Sequence, residues 1–298
     1  MREPVDPVLV YVQGFLDTFG TDCGQRLHEI VGTIGLTVKE VDAESFDGAL
    51  VRIIGVPKGK IAINANIREP GRKRFTLAHE LGHYVLPSHA RQSVACRPNE
   101  IERWTPSMSQ TELEANRFAA ALLMPKPLIM EELRSEPSLE QARRISEHCQ
   151  ASLTAATYRL VELSSYPIAV VWSTTGRRAW FQRSKEFGRA VELGSVSPQS
   201  FAHDCFRGAF VPTKPEPVPA TAWLYEDGLL ENARIWEESK PMPFYDAVLS
   251  LLYLREPVDH RHDSDEVLEE LNPTEFTLGR TRARELVFAD RTRLDAPD

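Results

Sequence analysis

Cysteine is scarce in this chain, and what there is does not pair. The 298 residues hold four (Cys23, Cys96, Cys149 and Cys205), with no C-x-x-C spacing. That excludes a disulfide scaffold and a thiolate zinc cluster of the ribbon type. No apolar run approaches the length of a membrane span, and the start, Met1-Arg2-Glu3-Pro4-Val5-Asp6, lacks the pattern of a signal peptide. Excess positive charge is missing too. A net charge of −8 argues against a protein whose main business is nucleic acid. The expectation is a cytoplasmic protein without membrane contacts, and 42% hydrophobic residues suffice for buried cores.

What is present centres on Arg74-Phe75-Thr76-Leu77-Ala78-His79-Glu80-Leu81-Gly82-His83, an H-E-x-x-H motif in a helical pattern. Histidines at i and i+4 share a helix face and reach one metal ion, and the glutamate between them can deprotonate a water there. Leu77, Ala78, Leu81 and Val85 supply an apolar stripe, and Pro87 supplies a stop. A third protein ligand is expected on a second helix, Thr111 to Met124, which ends at Pro125. At about 100° per residue, Ala115, Phe118, Ala119, Leu122 and Leu123 form its buried stripe. Glu112 and Asn116 flank that stripe, whereas Glu114 points away beside Arg117. Glu112 is therefore the expected ligand and Glu114 a solvent residue, with Asn116 placed to hold the far nitrogen of a ligating histidine.

These two segments, R-F-T-L-A-H-E-L-G-H and E-x-E-A-N-x-F-A-A-x-L-L-M-P, together with Ile61-Ala62-Ile63-Asn64, resemble the ImmA/IrrE family of zinc metallopeptidases. The resemblance spans roughly 61–125. It implies a zincin-like fold and one catalytic zinc ion on His79, His83 and Glu112, with Glu80 as general base. It also implies endopeptidase action on a helix-turn-helix (XRE-type) transcriptional repressor during stress, DNA damage or phage defence. The rival function is a regulatory binding protein whose zinc is only structural.

Three blocks are expected, α+β overall: a metallopeptidase domain over 1–135, a helical hairpin of helix-turn-helix length over 136–164, and a carboxy-terminal domain over 165–298. In the first, helices up to about residue 34 precede antiparallel strands at Thr37–Val41, Leu50–Val56 and Lys60–Ile67. The last of these is the expected sheet edge for an extended substrate. The hairpin Ser138–Gln150 and Leu153–Leu163 is either structural or a DNA reader, and carries only Arg143, Arg144 and Arg159. Arg159 is a candidate oxyanion stabiliser. In the third block Ile168–Trp172 and Ala179–Phe181 read as a hairpin about Thr175-Gly176. Thr221–Leu224 and Ala233–Glu238 read as strands, Phe244–Leu254 as a helix, and Pro212–Pro219 as an exposed polyproline loop. This α/β block resembles the GAF-like sensory domain of some family members, and is either sensory or a docking or dimerisation module. The charged tail 259–270, and the chain after Leu294, read as poorly ordered.

Two regulatory features complete the reading. Arg68, Arg72, Lys73 and Arg74 are either a solvated face or an anion-binding stretch, which single-stranded nucleic acid could occupy as an activator. Cys96, between the two ligand-bearing helices, is either an idle thiol or an inhibitory zinc ligand.

Overall fold

The computed structural model describes residues 6–52, 58–89, 94–96 (backbone only) and 109–255. The charged tail and much of the segment between the two ligand-bearing helices lie outside the described residues. Helix α1 (Pro7–Phe19) begins where Asp6 accepts the Val8 amide and Pro7 fills the first turn, and ends at Gly20. Helix α2 (Leu27–Thr33) leads into strands β1 (Leu36–Val41), β2 (Gly48–Arg52) and β3 (Gly59–Asn64), then α3 (Pro70–Val85), which carries the motif. The chain adds a short strand, β4 (Val94–Cys96), before α4 (Gln110–Leu123) and the single turn α5 (Lys126–Ile129).

The first sheet runs β1-β3-β2-β4. Two expectations fail here. β3, expected as the edge, is interior, and β1 pairs with it in parallel, so the sheet is mixed. The alternation in Ile61, Ile63 and Leu50 reveals which face is buried but not which neighbour a strand takes. β4, unread in the sequence at three residues, adds antiparallel to β2. Among the described residues β2 is the only strand it pairs with, which leaves β4 at the edge.

Helices α3 and α4 pack closely because Gly82 has no side chain. A Cβ there would lie 3.1 Å from Phe118 Cδ1 and 3.3 Å from Ala115 Cα. Arg52 closes the far end of α3 by donating to the carbonyls of Tyr84 and His83. It thereby satisfies groups that a helix terminus leaves open. The buried stripe of α4 is the expected one: Ala115, Phe118, Ala119, Leu122 and Leu123 are all buried.

The helical hairpin forms as α6 (Leu139–Cys149) and α7 (Leu153–Leu163), capped by Ser138 and Ser152, with Gln150 in the left-handed region between them. Its cations are spent locally. Arg143 binds Glu140 and Glu147, and Arg144 binds Glu132. Arg159 is buried and donates to Met124 O and Glu162. Both partners of Arg159 lie outside the His79, His83 and Glu112 group.

A second sheet of six antiparallel strands follows, ordered β7-β6-β5-β10-β9-β8. Its members are β5 (Ile168–Thr174), β6 (Arg177–Arg183), β7 (Gly194–Ser195), β8 (Glu216–Pro219), β9 (Arg234–Met242) and β10 (Ala247–Tyr253), with helix α8 (Phe201–Phe206) between β7 and β8. The β5–β6 turn has positive φ at both Thr175 and Gly176, matching the right-handed strand twist. Three local expectations are corrected. Ala247–Tyr253 is a strand rather than a helix: it is central, paired on both sides, and its apolar run has no polar face to reveal a period. The 221–224 segment is a 3-10 turn (Ala220–Ala222) running into Trp223. The expected polyproline loop contributes β8, where Pro217 and Pro219 sit on an edge strand that can spare their amides.

The sheet divides its side chains by alternation. Ile168, Val170, Leu249 and Leu251 join the core beneath the motif helix, while Ala169, Val171, Val248 and Leu252 form a second core with Trp223 and Phe187.

Candidate metal centre

The 3.6-residue helical repeat brings His79 and His83 to one side of α3, and α4 crosses that side with Glu112 toward it. The two Nε2 atoms stand 3.0 Å apart. Glu112 Oε2 lies 3.1 Å from His79 Nε2, and its Oε1 lies 3.3 Å from His83 Nε2. Ligands about 2.0–2.1 Å from a tetrahedral zinc ion would be about 3.3 Å from each other, so the spacing is that of a coordination shell. All three residues are buried. Both carboxylate oxygens of Glu112 thus face the inner nitrogens of the two imidazoles.

Protons on the outer nitrogens test whether a cation fits. His79 Nδ1 is 2.9 Å from Asn116 Oδ1, an atom that only accepts, so Nδ1 carries the hydrogen and Nε2 keeps its lone pair. Asn116 Oδ1 thus sits against the outer nitrogen of His79. His83 is held differently. Its Nδ1 is 3.0 Å from His89 Nδ1, and His89 Nε2 is 3.1 Å from Glu114 Oε2. With the carboxylate accepting at Nε2, His89 presents a bare Nδ1, so His83 Nδ1 donates and its Nε2 too is a lone pair. Two lone pairs and a carboxylate thus converge, an arrangement that a cation satisfies and that repels itself otherwise.

Glu114 was expected in solvent. Instead its carboxylate accepts from Ser88 Oγ, Gln110 Nε2 and His89. Burial pushes its pKa up, and these three donors pull it down by more, leaving it below its ordinary value. His89 escaped the sequence reading because it follows Pro87, beyond the helical period, where spacing carries no directional information. Fully buried, and beside His83, it is held below the ordinary histidine value and is neutral.

Glu80 is fully buried on the next face of α3, against the sheet: a Cβ at Gly48 would come within 2.5 Å of Glu80 Oε1. Gly48 pairs with Cys96, so the backbone of Cys96 lies one strand further out. The side chain of Cys96 is outside the described residues.

Three cations of the basic stretch are hydrogen-bonded within the chain: Arg72 donates to the buried Asp47, Lys73 to Glu40, and Arg74 to Gln150 and the Gly24 carbonyl. Arg68 opens instead onto a cleft of about 800 Å³, shared with Glu69, Trp172, Trp180, Phe244 and Tyr245.

Residues 32–161 match the model of the M78 peptidases, the IrrE N-terminal-like domain. Over these residues the chain is similar to the IrrE-type metallopeptidases. The match covers more than the motif-bearing segments, running from α2 to α7. The radiation response metalloprotease IrrE of Deinococcus deserti is 31% identical over 173 residues, 57% of this chain and 58% of that protein. The one from Deinococcus radiodurans is 27% identical over 156 residues, 52% and 45% respectively. The chain therefore spans about half the length of the curated relatives it matches. Among the described residues, no helix is long and apolar enough to cross a membrane.

Proposed function

We propose that this protein is a zinc-dependent endopeptidase of the cytoplasm, and that its substrate is a helix-turn-helix transcriptional repressor. The observation that carries the reading is the convergence of His79, His83 and Glu112 with a buried glutamate on the same helix. A zinc ion bound by those three would supply a Lewis acid for the scissile carbonyl and lower the pKa of water. Glu80 takes the proton from the attacking water and returns it to the leaving amine. The outer edge of β4 is the strand to which an extended substrate segment would add, one strand beyond Gly48 and Glu80. Cys96, at the end of that edge strand, is proposed as a latch whose thiolate occupies the metal until substrate or activator displaces it. The block from residue 165 onward is proposed to dock the repressor or sense a signal. The cleft beside Arg68 and its aromatic wall support that role.

The experiment combines metal analysis with cleavage of a helix-turn-helix repressor encoded beside the gene. His79→Ala, His83→Ala and Glu112→Ala should lose zinc and activity, while Glu80→Gln keeps zinc and loses cleavage. Cleavage that persists in Glu80→Gln or in excess chelator would refute the mechanism. Zinc retained in Glu112→Ala would refute the ligand set.

A further inference from the structure

The two histidines of the motif are supported in chemically different ways. His79 leans on a neutral amide, Asn116. His83 leans on a second imidazole that ends in an anion, Glu114. We propose that His89 and Glu114 are positioning residues for the metal ligand His83, a relay that fixes its tautomer and carries a carboxylate's charge to it through two rings. The proposal rests on the reading of His83 as a metal ligand.

The hydrogen count allows one arrangement. Glu114 only accepts, so His89 donates from Nε2 and accepts at Nδ1. His83 therefore donates from Nδ1 and offers Nε2 inward. Three features of the fold hold the chain of contacts in place. The 3-10 turn Pro87–His89, closed by the His89 amide on Leu86 O at 3.0 Å, swings His89 back over α3. Ser88, in the same turn, holds Glu114 Oε2 at 2.8 Å. Gln110, one turn back on α4, holds the other oxygen at 3.1 Å. A carboxylate fixed by three donors is a stiff anchor rather than a loose surface charge. It pulls on the His89 hydrogen, which makes His89 Nδ1 a better acceptor, which makes His83 a more basic ligand. The surface position of Glu114 thus reaches the metal through two buried rings.

The test measures zinc affinity by competition with a chelator and reads the histidine tautomers by nitrogen-15 NMR of the full chain. Glu114→Ala should weaken zinc about 10–100-fold, the usual effect of losing such a partner. It should also let the zinc-free His83 ring sample both tautomers while leaving the spectrum of His79 unchanged. Glu114→Gln keeps an acceptor for His89 and should recover the tautomer and part of the affinity, a rescue that a merely structural role would not show. Glu114 is partly exposed near the start of α4, so both variants should fold, whereas replacing the fully buried His89 endangers the turn. If wild type binds zinc and Glu114→Ala matches it in affinity and tautomer, the relay is refuted and the metal reading stands. If wild type takes up no zinc, both fall.

Discussion

Adding one methyl group at Gly48 should separate catalysis from metal binding. The Cβ of Gly48→Ala would come within 2.5 Å of Glu80 Oε1, 2.6 Å of Thr76 Cγ2 and 3.0 Å of Glu80 Cγ. Ordinary contacts begin near 3.4 Å, so the carboxylate and the threonine methyl must retreat by about 0.8–0.9 Å. A misplacement of about 1 Å in a catalytic group costs on the order of 100-fold in rate, or about 2.7 kcal/mol of transition-state stabilisation. Crowding a packed site destabilises the fold by about 1–3 kcal/mol. His79, His83 and Glu112 are absent from the short contacts, so zinc content should stay at one per chain. The assay is kcat on a peptide substrate beside metal content and a denaturant midpoint. Gly14→Ala on α1 is the control, because its Cβ meets nothing within 4 Å. Undiminished kcat in Gly48→Ala would mean that the place of Glu80 against β2 is irrelevant to the chemistry. Loss of zinc in that variant would break the separation.

Cys96→Ala should cleave the repressor without any activator, and wild-type zinc should show one sulfur neighbour by X-ray absorption. A sulfur-free site with the activator requirement intact would sink the latch. Burial pushes Glu238 above the ordinary glutamate value of 4.5, although the Leu139 amide at the start of α6 hydrogen-bonds it and pulls the other way. The folded state therefore holds this proton more tightly than the unfolded chain. Its contribution to stability is full below about pH 4.5 and is lost as pH rises through the raised folded value. Glu238→Gln, still able to accept from Leu139, should flatten that decline in denaturant midpoints taken from pH 4 to 8. A slope identical to wild type would refute it.

The convergence of His79, His83 and Glu112 was legible because one helical period fixes their directions, and a helix of that length needs little tertiary context. The contacts of Glu114 were not. Its angle on α4 is outward, but outward of that helix is where the turn bearing His89 arrives, and no local pattern announces a turn's destination. Strand neighbours failed for the same reason. Lys60–Asn64 alternates as any half-buried strand does, and its place between β1 and β2 is decided by pairing across the chain. Ala247–Tyr253 was misread because a strand buried on both faces loses the period that would name it.

The alternation along β5 and β10 has a thermodynamic meaning. Val170 and Leu251 are built into the core that carries the motif helix, while their neighbours Val171 and Leu252 belong to the other core, so neither core can melt without stripping one side of the same strands. Unfolding should accordingly be a single transition. Whatever binds the outer layer then stabilises the whole fold by mass action, the surroundings of Glu80 included.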